Sequence, residues 1–300
     1  MVKKFGISEH NLIKILLTQK RFVYNGKTYN VIFAGKPTIE AGEPKTDVFL
    51  FAESADHEKI PFTRKISFKQ PNHDFIENKI SATRAAEILG PSWSKILTKC
   101  LSELAPKFSD RKLIFKNNYG RTSAGSFTLG WKVEFLNKKS GELSLKMPLS
   151  TTQVIDIYSG RNLQANKRNA IINGQIIKNS GVADYILVGE GYESIEDILN
   201  KLVDIKTYVN EYPDIYLACK ALNYRSFEKK FDGNRPLGAY VQWDSEYGKL
   251  AGKVVYDHPL EKRGNEVFEQ LKNHMDKLHI QTSNDVDLSN TDSSIIFELK

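Results

Sequence analysis

Gly42-Glu43-Pro44-Lys45-Thr46-Asp47 runs straight into Val48-Phe49-Leu50-Phe51-Ala52, and a little further on comes Lys65-Ile66-Ser67-Phe68-Lys69-Gln70. The first stretch reads as a strand apolar on both faces, with an acid at its mouth. The second alternates strictly: Ile66 and Phe68 face one way, Lys65, Ser67 and Lys69 the other. Asp47 and Lys69 are 22 positions apart, enough for a hairpin with a loop. Neighbouring strands lie about 4.8 Å apart, so the register can bring Asp47 and Lys69 to one end of a sheet.

Working outward, residues 7–20 predict a helix, with Ser8 as its cap and Leu12, Ile13, Leu16 and Leu17 on its apolar face. Phe22 to Phe33 predicts a hairpin turning at Asn25-Gly26. After Pro71-Asn72, helices are expected over 73–89, stopped by Gly90-Pro91, and over 92–104, closed by Pro106. Short strands are expected at 113–115, 127–129, 131–136 and 143–147, a short helix at 150–158 and one strand at 170–177. Helices at 194–209, 214–231 and 264–278, a hairpin of 237–243 with 250–256 and a last strand at 294–299 complete the reading. The class is α/β of the α+β kind, with a β-rich basic middle and a helical C-terminal part. Three consecutive regions are expected: 1–106 as the core, 107–190 as the basic β-rich region, and 191–300 as helices plus a hairpin packed with the core.

The chain has 300 residues, 40% of them hydrophobic, enough for a real core. Cys100 and Cys219 are the only cysteines and form no CxxC, which disfavours a disulfide scaffold or a zinc knuckle. The N-terminal stretch is too interrupted by polar residues for a signal sequence and no run of 18 apolar residues occurs, so a cytoplasmic protein without membrane contact is expected. Net charge is +7, and it is gathered. Eight basic residues but only Asp110 and Glu134 lie between Lys107 and Lys139, and Arg161 to Lys178 holds four basic residues and no acid. Such patches suit a polyanion, because neutralising phosphates releases counterions. The histidines show no HExxH or HxH spacing, Gly189-Glu190-Gly191 lacks a P-loop lysine, and there is no GxSxG.

An Asp at a strand mouth beside a Lys at the neighbouring strand's end is a pair with chemistry in it. The carboxylate can hold Mg²⁺, and the lysine can orient an attacking water and hold a phosphate. In this context Pro44 to Asp47, the apolar strand behind it and Ser67-Phe68-Lys69-Gln70 resemble the PD-(D/E)XK nuclease superfamily, which includes many restriction endonucleases. The resemblance covers residues 5–90 and includes a preceding helix, here carrying Glu9, and a helix after the lysine strand. It implies a restriction-endonuclease-like mixed sheet flanked by helices. It also implies a Mg²⁺-dependent endonuclease of the type II restriction kind, with Asp47, Lys69 and Ser67 at the catalytic site and Asp47 as a metal ligand. The departure is Ser67, where the family usually has Asp or Glu. One branch with Ser-x-Lys takes its second acid from the following helix, where Glu77 and Glu87 are expected. Glu43 and Glu40 are the other donors, and Glu87 is favoured slightly over Glu43 as the second metal ligand.

Double-stranded DNA is then the expected partner, with no small-molecule cofactor beyond Mg²⁺. Lys116, Asn117, Asn118 and Arg121 on one loop, Lys167 and Arg168 on another, and Gln70 beside the lysine strand are the candidate contacts. Lys binds phosphate, while Arg and Asn can read guanine and adenine. Tyr119, Trp131 and Phe135 are expected in the core. Cutting both strands at one site would need two active sites and hence a homodimer. The rival readings are a non-catalytic DNA-binding protein on a degenerate nuclease core, and an interaction protein whose basic face meets another polyanion.

Overall fold

The computed structural model describes residues 9–40, 42–71 and 74–299. The expected cap Ser8, and also Asn72 and His73, lie outside the described residues. Helices are α1 Glu9–Gln19, α2 Ala82–Leu89, α3 Trp93–Glu103, α4 Ala105–Ser109, α5 Thr151–Ser159, α6 Ala165–Arg168, α7 Ile195–Asn200, α8 Ile205–Glu211 and α9 Gly264–Lys277. The first eight strands are β1 Arg21–Tyr24, β2 Lys27–Gly35, β3 Val48–Ser54, β4 Pro61–Lys69, β5 Phe75–Glu77, β6 Ile114–Phe115, β7 Ser126–Leu136 and β8 Ser144–Lys146. The remainder are β9 Ile171–Ile172, β10 Gln175–Ile176, β11 Tyr185–Val188, β12 Val203–Asp204, β13 Tyr216–Arg225, β14 Lys230–Phe231, β15 Ala239–Asp244, β16 Ala251–Val255 and β17 Ile296–Phe297. The class is mixed α and β, with mixed sheets flanked by helices. No described helix is long and apolar enough to cross a membrane.

The chain packs as two units, each assembled from separated stretches rather than as three consecutive regions. The first draws on Met1–Asp74, Glu87–Gly90 and Leu149–Pro213, the second on Phe75–Ala86, Pro91–Pro148 and Asp214–Lys300.

The first unit is built on a sheet ordered β1-β2-β3-β4-β11-β12. β1 to β4 form an antiparallel meander whose first turn is Asn25-Gly26, both with positive φ, the conformation that this dipeptide adopts cheaply. β11 then lies parallel to β4, pairing Ile186 with Ser67 and Val188 with Lys69. This makes β4 an interior strand, and Ser67, placed on the polar face by the alternation, is in fact buried. α1 covers one face with Leu12 and Leu16, packed with Val48, Leu50, Ile66, Phe68 and Leu187. Leu17, expected on the same face, is exposed. Phe22, Tyr29 and Phe62 form an aromatic knot, with ring centroids 4.8–5.4 Å apart, an arrangement that adds about 0.5–1.5 kcal/mol per pair beyond burial.

The second unit holds a sheet whose main path is β14-β13-β7-β15-β16, with β5, β6 and β17 joined through β7 and β8 through β13. β7 and β13 pair antiparallel over most of their length, with a register shift between Leu222 and Asn223 opposite Gly130. A Cβ on Gly130 would sit 2.5 Å from the Ala239 carbonyl oxygen, so this close strand approach requires glycine.

Several expected elements differ. Residues 214–231, expected as a helix, form strand β13 and the short β14, so the helical C-terminal part is half strand. The expected helix at 73–89 begins as β5, which pairs with β7, and becomes helical only at α2. There Ser81 Oγ accepts the Arg84 amide at 3.1 Å. Glu77 therefore lies on a strand, ion-paired with Arg84. The helix at 194–209 is broken into α7, β12 and α8, because Asp204 caps a new start by accepting the amides of Lys206 and Thr207. The single strand at 170–177 is a hairpin, turned by Asn173-Gly174. The two strands at 127–129 and 131–136 are one, β7, and Pro106 opens α4 instead of closing a helix.

Candidate functional site

The Asp47 amide donates to the Ile66 carbonyl at 2.8 Å, extending the β3–β4 ladder one step beyond the Val48–Ile66 pair. This puts the Asp47 side chain beside the last turn of β4. Its Oδ2 accepts the Phe68 amide at 2.8 Å and the Ser67 hydroxyl at 3.3 Å, and Lys69 Nζ lies 3.7 Å away. The segment before Asp47 is held from the other side: the Lys45 and Thr46 amides both donate to the Gly181 carbonyl, at 2.9 and 3.3 Å. A Cβ on Gly181 would fall 2.0 Å from the Lys167 carbonyl oxygen, so only glycine lets these segments meet.

Asp47 lines a pocket of about 550 Å³ with Lys69, Gln70, Phe68, Lys36, Glu9, His10 and Ile13. Lys36, one residue past β2, is ion-paired with Glu9 in the first turn of α1. The site thus gathers two carboxylates and two ammonium groups at the adjoining ends of two interior strands, β3 and β4. Burial raises the Asp47 pKa and Glu9 pushes the same way, while Lys69, the Phe68 amide and Lys36 pull against them without prevailing. Burial works to lower Lys36, but its bond to Glu9 and the charges of Glu9, Asp47 and Glu43 outweigh it and leave that pKa raised. Ser67 fits this electrostatic setting: a carboxylate in its place would be buried against Asp47, where like charges oppose joint ionisation. The hydroxyl supplies a donor in its stead.

Glu43 reaches the site through its field on Lys36. Glu87 is buried and ion-paired with Lys167 Nζ of α6 at 2.6 Å. Arg168, its neighbour, has a buried Nε without a hydrogen-bond partner. Gln70 is exposed at the pocket rim. In the second unit, Lys116 pairs with Glu298 at 3.0 Å, Asn117 Oδ1 accepts the Leu299 amide and Asn118 Oδ1 accepts the Ala124 amide. These three side chains hold the loop together. Arg121 is exposed on the same loop. Lys36 and His10 carried no signal in the sequence, because only the packing of α1 and β2 against β3 brings them to Asp47.

Among the described residues, no group of three or more His, Cys, Asp and Glu side chains could hold a metal between them. Mg²⁺ asks for less: one or two carboxylates, with waters and a substrate phosphate completing the octahedron. Asp47 and Glu9 line the same pocket and Glu9 opposes the ionisation of Asp47, so these are the two carboxylates that a dication bound there would relieve. Comparison with family models, curated proteins and solved structures gives no match, so any functional reading rests on the geometry of these side chains.

Proposed function

We propose that the protein is a Mg²⁺-dependent DNA endonuclease on a restriction-endonuclease-like core. The observation that carries this reading is the convergence of Asp47, Lys69, Ser67 and Glu9 at the adjoining ends of β3 and β4. Asp47, with Glu9, would hold the metal, and Glu43 acts electrostatically on the neighbouring Lys36. Mg²⁺ there would neutralise charge on the scissile phosphate and lower the pKa of a bound water.

The chain's own groups supply the rest. The Phe68 amide and the Ser67 hydroxyl fix the Asp47 carboxylate in one orientation. Lys69 is a cation poised to hold a phosphate oxygen and orient the incoming water. Lys36 holds Glu9 in place by its ion pair. In the hydrolysis, the water oxygen bonds to phosphorus, the bridging P–O bond breaks, and the leaving oxygen takes up a proton.

The test is a digest of plasmid and phage DNA with Mg²⁺, with EDTA, and with Asp47→Ala and Lys69→Ala. Discrete Mg²⁺-dependent fragments, reduced at least ~100-fold in each variant, are expected. One observation favours a second reading: the family's second acid is replaced by a buried serine. DNA binding without cleavage across varied unmodified sequences would make this a DNA-binding protein on a degenerate core.

A further inference from the structure

A second cavity, of about 770 Å³, lies wholly within the second unit. Its floor is formed by β7 and β13, through Thr128, Trp131 and Ala221. Lys107, Arg111, Lys112 and Arg121 line it against only two carboxylates, Asp110 and Glu142. Arg111 is tied to Glu142, whereas Arg121 is exposed and makes no bond within the described residues.

Its wall carries Tyr119, 53% exposed although the sequence places it in the core. The ring leans on Phe297, with centroids 4.7 Å apart, and stacks more distantly on Phe115 at 6.1 Å. The remainder of the ring is open to the groove. Tyr119 and Arg121 sit on one closed turn: the Tyr119 and Thr122 amides each donate to the other's carbonyl, both at 2.9 Å. Asn118 clasps the base of that turn through the Ala124 amide at 2.8 Å. The turn thus brings an aromatic face and an unpaired guanidinium together at the edge of a basic groove. A flat ring beside a cation is how proteins take an unstacked base and its phosphate. A paired base in a duplex offers no face to such a ring.

We propose that this groove binds an unstacked nucleotide, with the base on Tyr119 and the phosphate on Arg121 and Lys112. The inference rests on the nucleic-acid part of the reading above but not on its catalytic part. It changes the expected mode of contact, from reading paired bases in the major groove to receiving a base outside the stack.

The experiment is fluorescence anisotropy in EDTA, where no cleavage occurs. The ligands are a single-stranded oligonucleotide, a duplex with one unpaired base and the fully paired duplex, with thymidine monophosphate as competitor. The proteins are the wild type, Tyr119→Ala, Tyr119→Phe, Arg121→Ala and Asp47→Ala, each checked for a cooperative unfolding transition. Tyr119→Ala is expected to weaken the single strand and the unpaired-base duplex by ~5- to 150-fold, the range of one stacked base, and to leave the paired duplex nearly unchanged. Tyr119→Phe should restore binding, and Arg121→Ala should lower the single-strand salt slope by about 0.7. Competition by the monophosphate would identify a free nucleotide as a sufficient ligand; its failure beside tight strand binding would identify a nucleotide within a strand. Either supports the site. Equal losses for all three ligands, or no loss with Tyr119→Ala, would overturn it. Cleavage with no such discrimination would sink only this inference, and discrimination in a protein that never cleaves would sink only the endonuclease.

Discussion

Asp47 is held in the fold at a cost. Its carboxyl has a raised pKa in the folded chain, with burial the largest cause, so the protonated form is favoured on folding. Above the folded pKa the ionised group opposes folding, and that opposition fades as pH falls through this pKa towards the ordinary value. Asp47→Asn keeps an oxygen for the Phe68 amide and removes the charge. At pH 8 its unfolding midpoint should rise, because the buried charge is gone. The gain should shrink towards pH 4, and on the endonuclease proposal Mg²⁺-dependent cutting should be absent throughout. Thermal melts across that range check it; a lower midpoint at pH 8 would mean that the Lys69 attraction outweighs burial. The Asp47 and Lys69 positions were legible in the sequence because each follows from local alternation beside a strand end. Glu9 entered only through the family resemblance, and Lys36 needed tertiary packing to meet them, which no spacing encodes.

Among elements, α6 carries two basic residues expected to contact DNA, and one of them already has a partner within the chain. Lys167 reaches inward to Glu87, and both side chains are largely buried. Removing Lys167 takes a cation away from a buried carboxylate, a change that costs up to about 3–5 kcal/mol. Lys167→Ala should therefore lower the denaturant midpoint markedly, and Lys167→Met should not rescue it. A stable Lys167→Ala protein with weakened DNA binding would restore the surface role. The strands show where sequence patterns suffice. β3 and β4 were readable from an apolar run and an alternation. β13 was not: Ile215, Ala218, Cys219 and Leu222 fall at helical spacing, yet the segment is a strand enclosed by β7 on one side and β8 and β14 on the other. A strand buried on both faces loses its period of two, and only length and neighbours distinguish it from a helix. β11, four apolar residues long, fell below the same threshold.

At the scale of the whole molecule, the +7 charge predicts the salt response of any nucleic-acid binding. If four phosphates are neutralised on duplex DNA, affinity should fall about 100-fold between 50 and 200 mM salt. A gel-shift titration at fixed temperature measures the slope; an affinity indifferent to salt would remove DNA as the partner. The two-unit division has another consequence. β4 is interior only because β11 lies against it, and β11 is encoded more than a hundred residues later, after much of the second unit. During synthesis at about 5–20 residues per second, β4 can wait on the order of 10 s with its backbone amides open along one edge. That edge can be claimed by a neighbouring nascent chain. Recovery of native protein should therefore depend on translation speed and on the chaperones present while Tyr185–Val188 is still inside the ribosome.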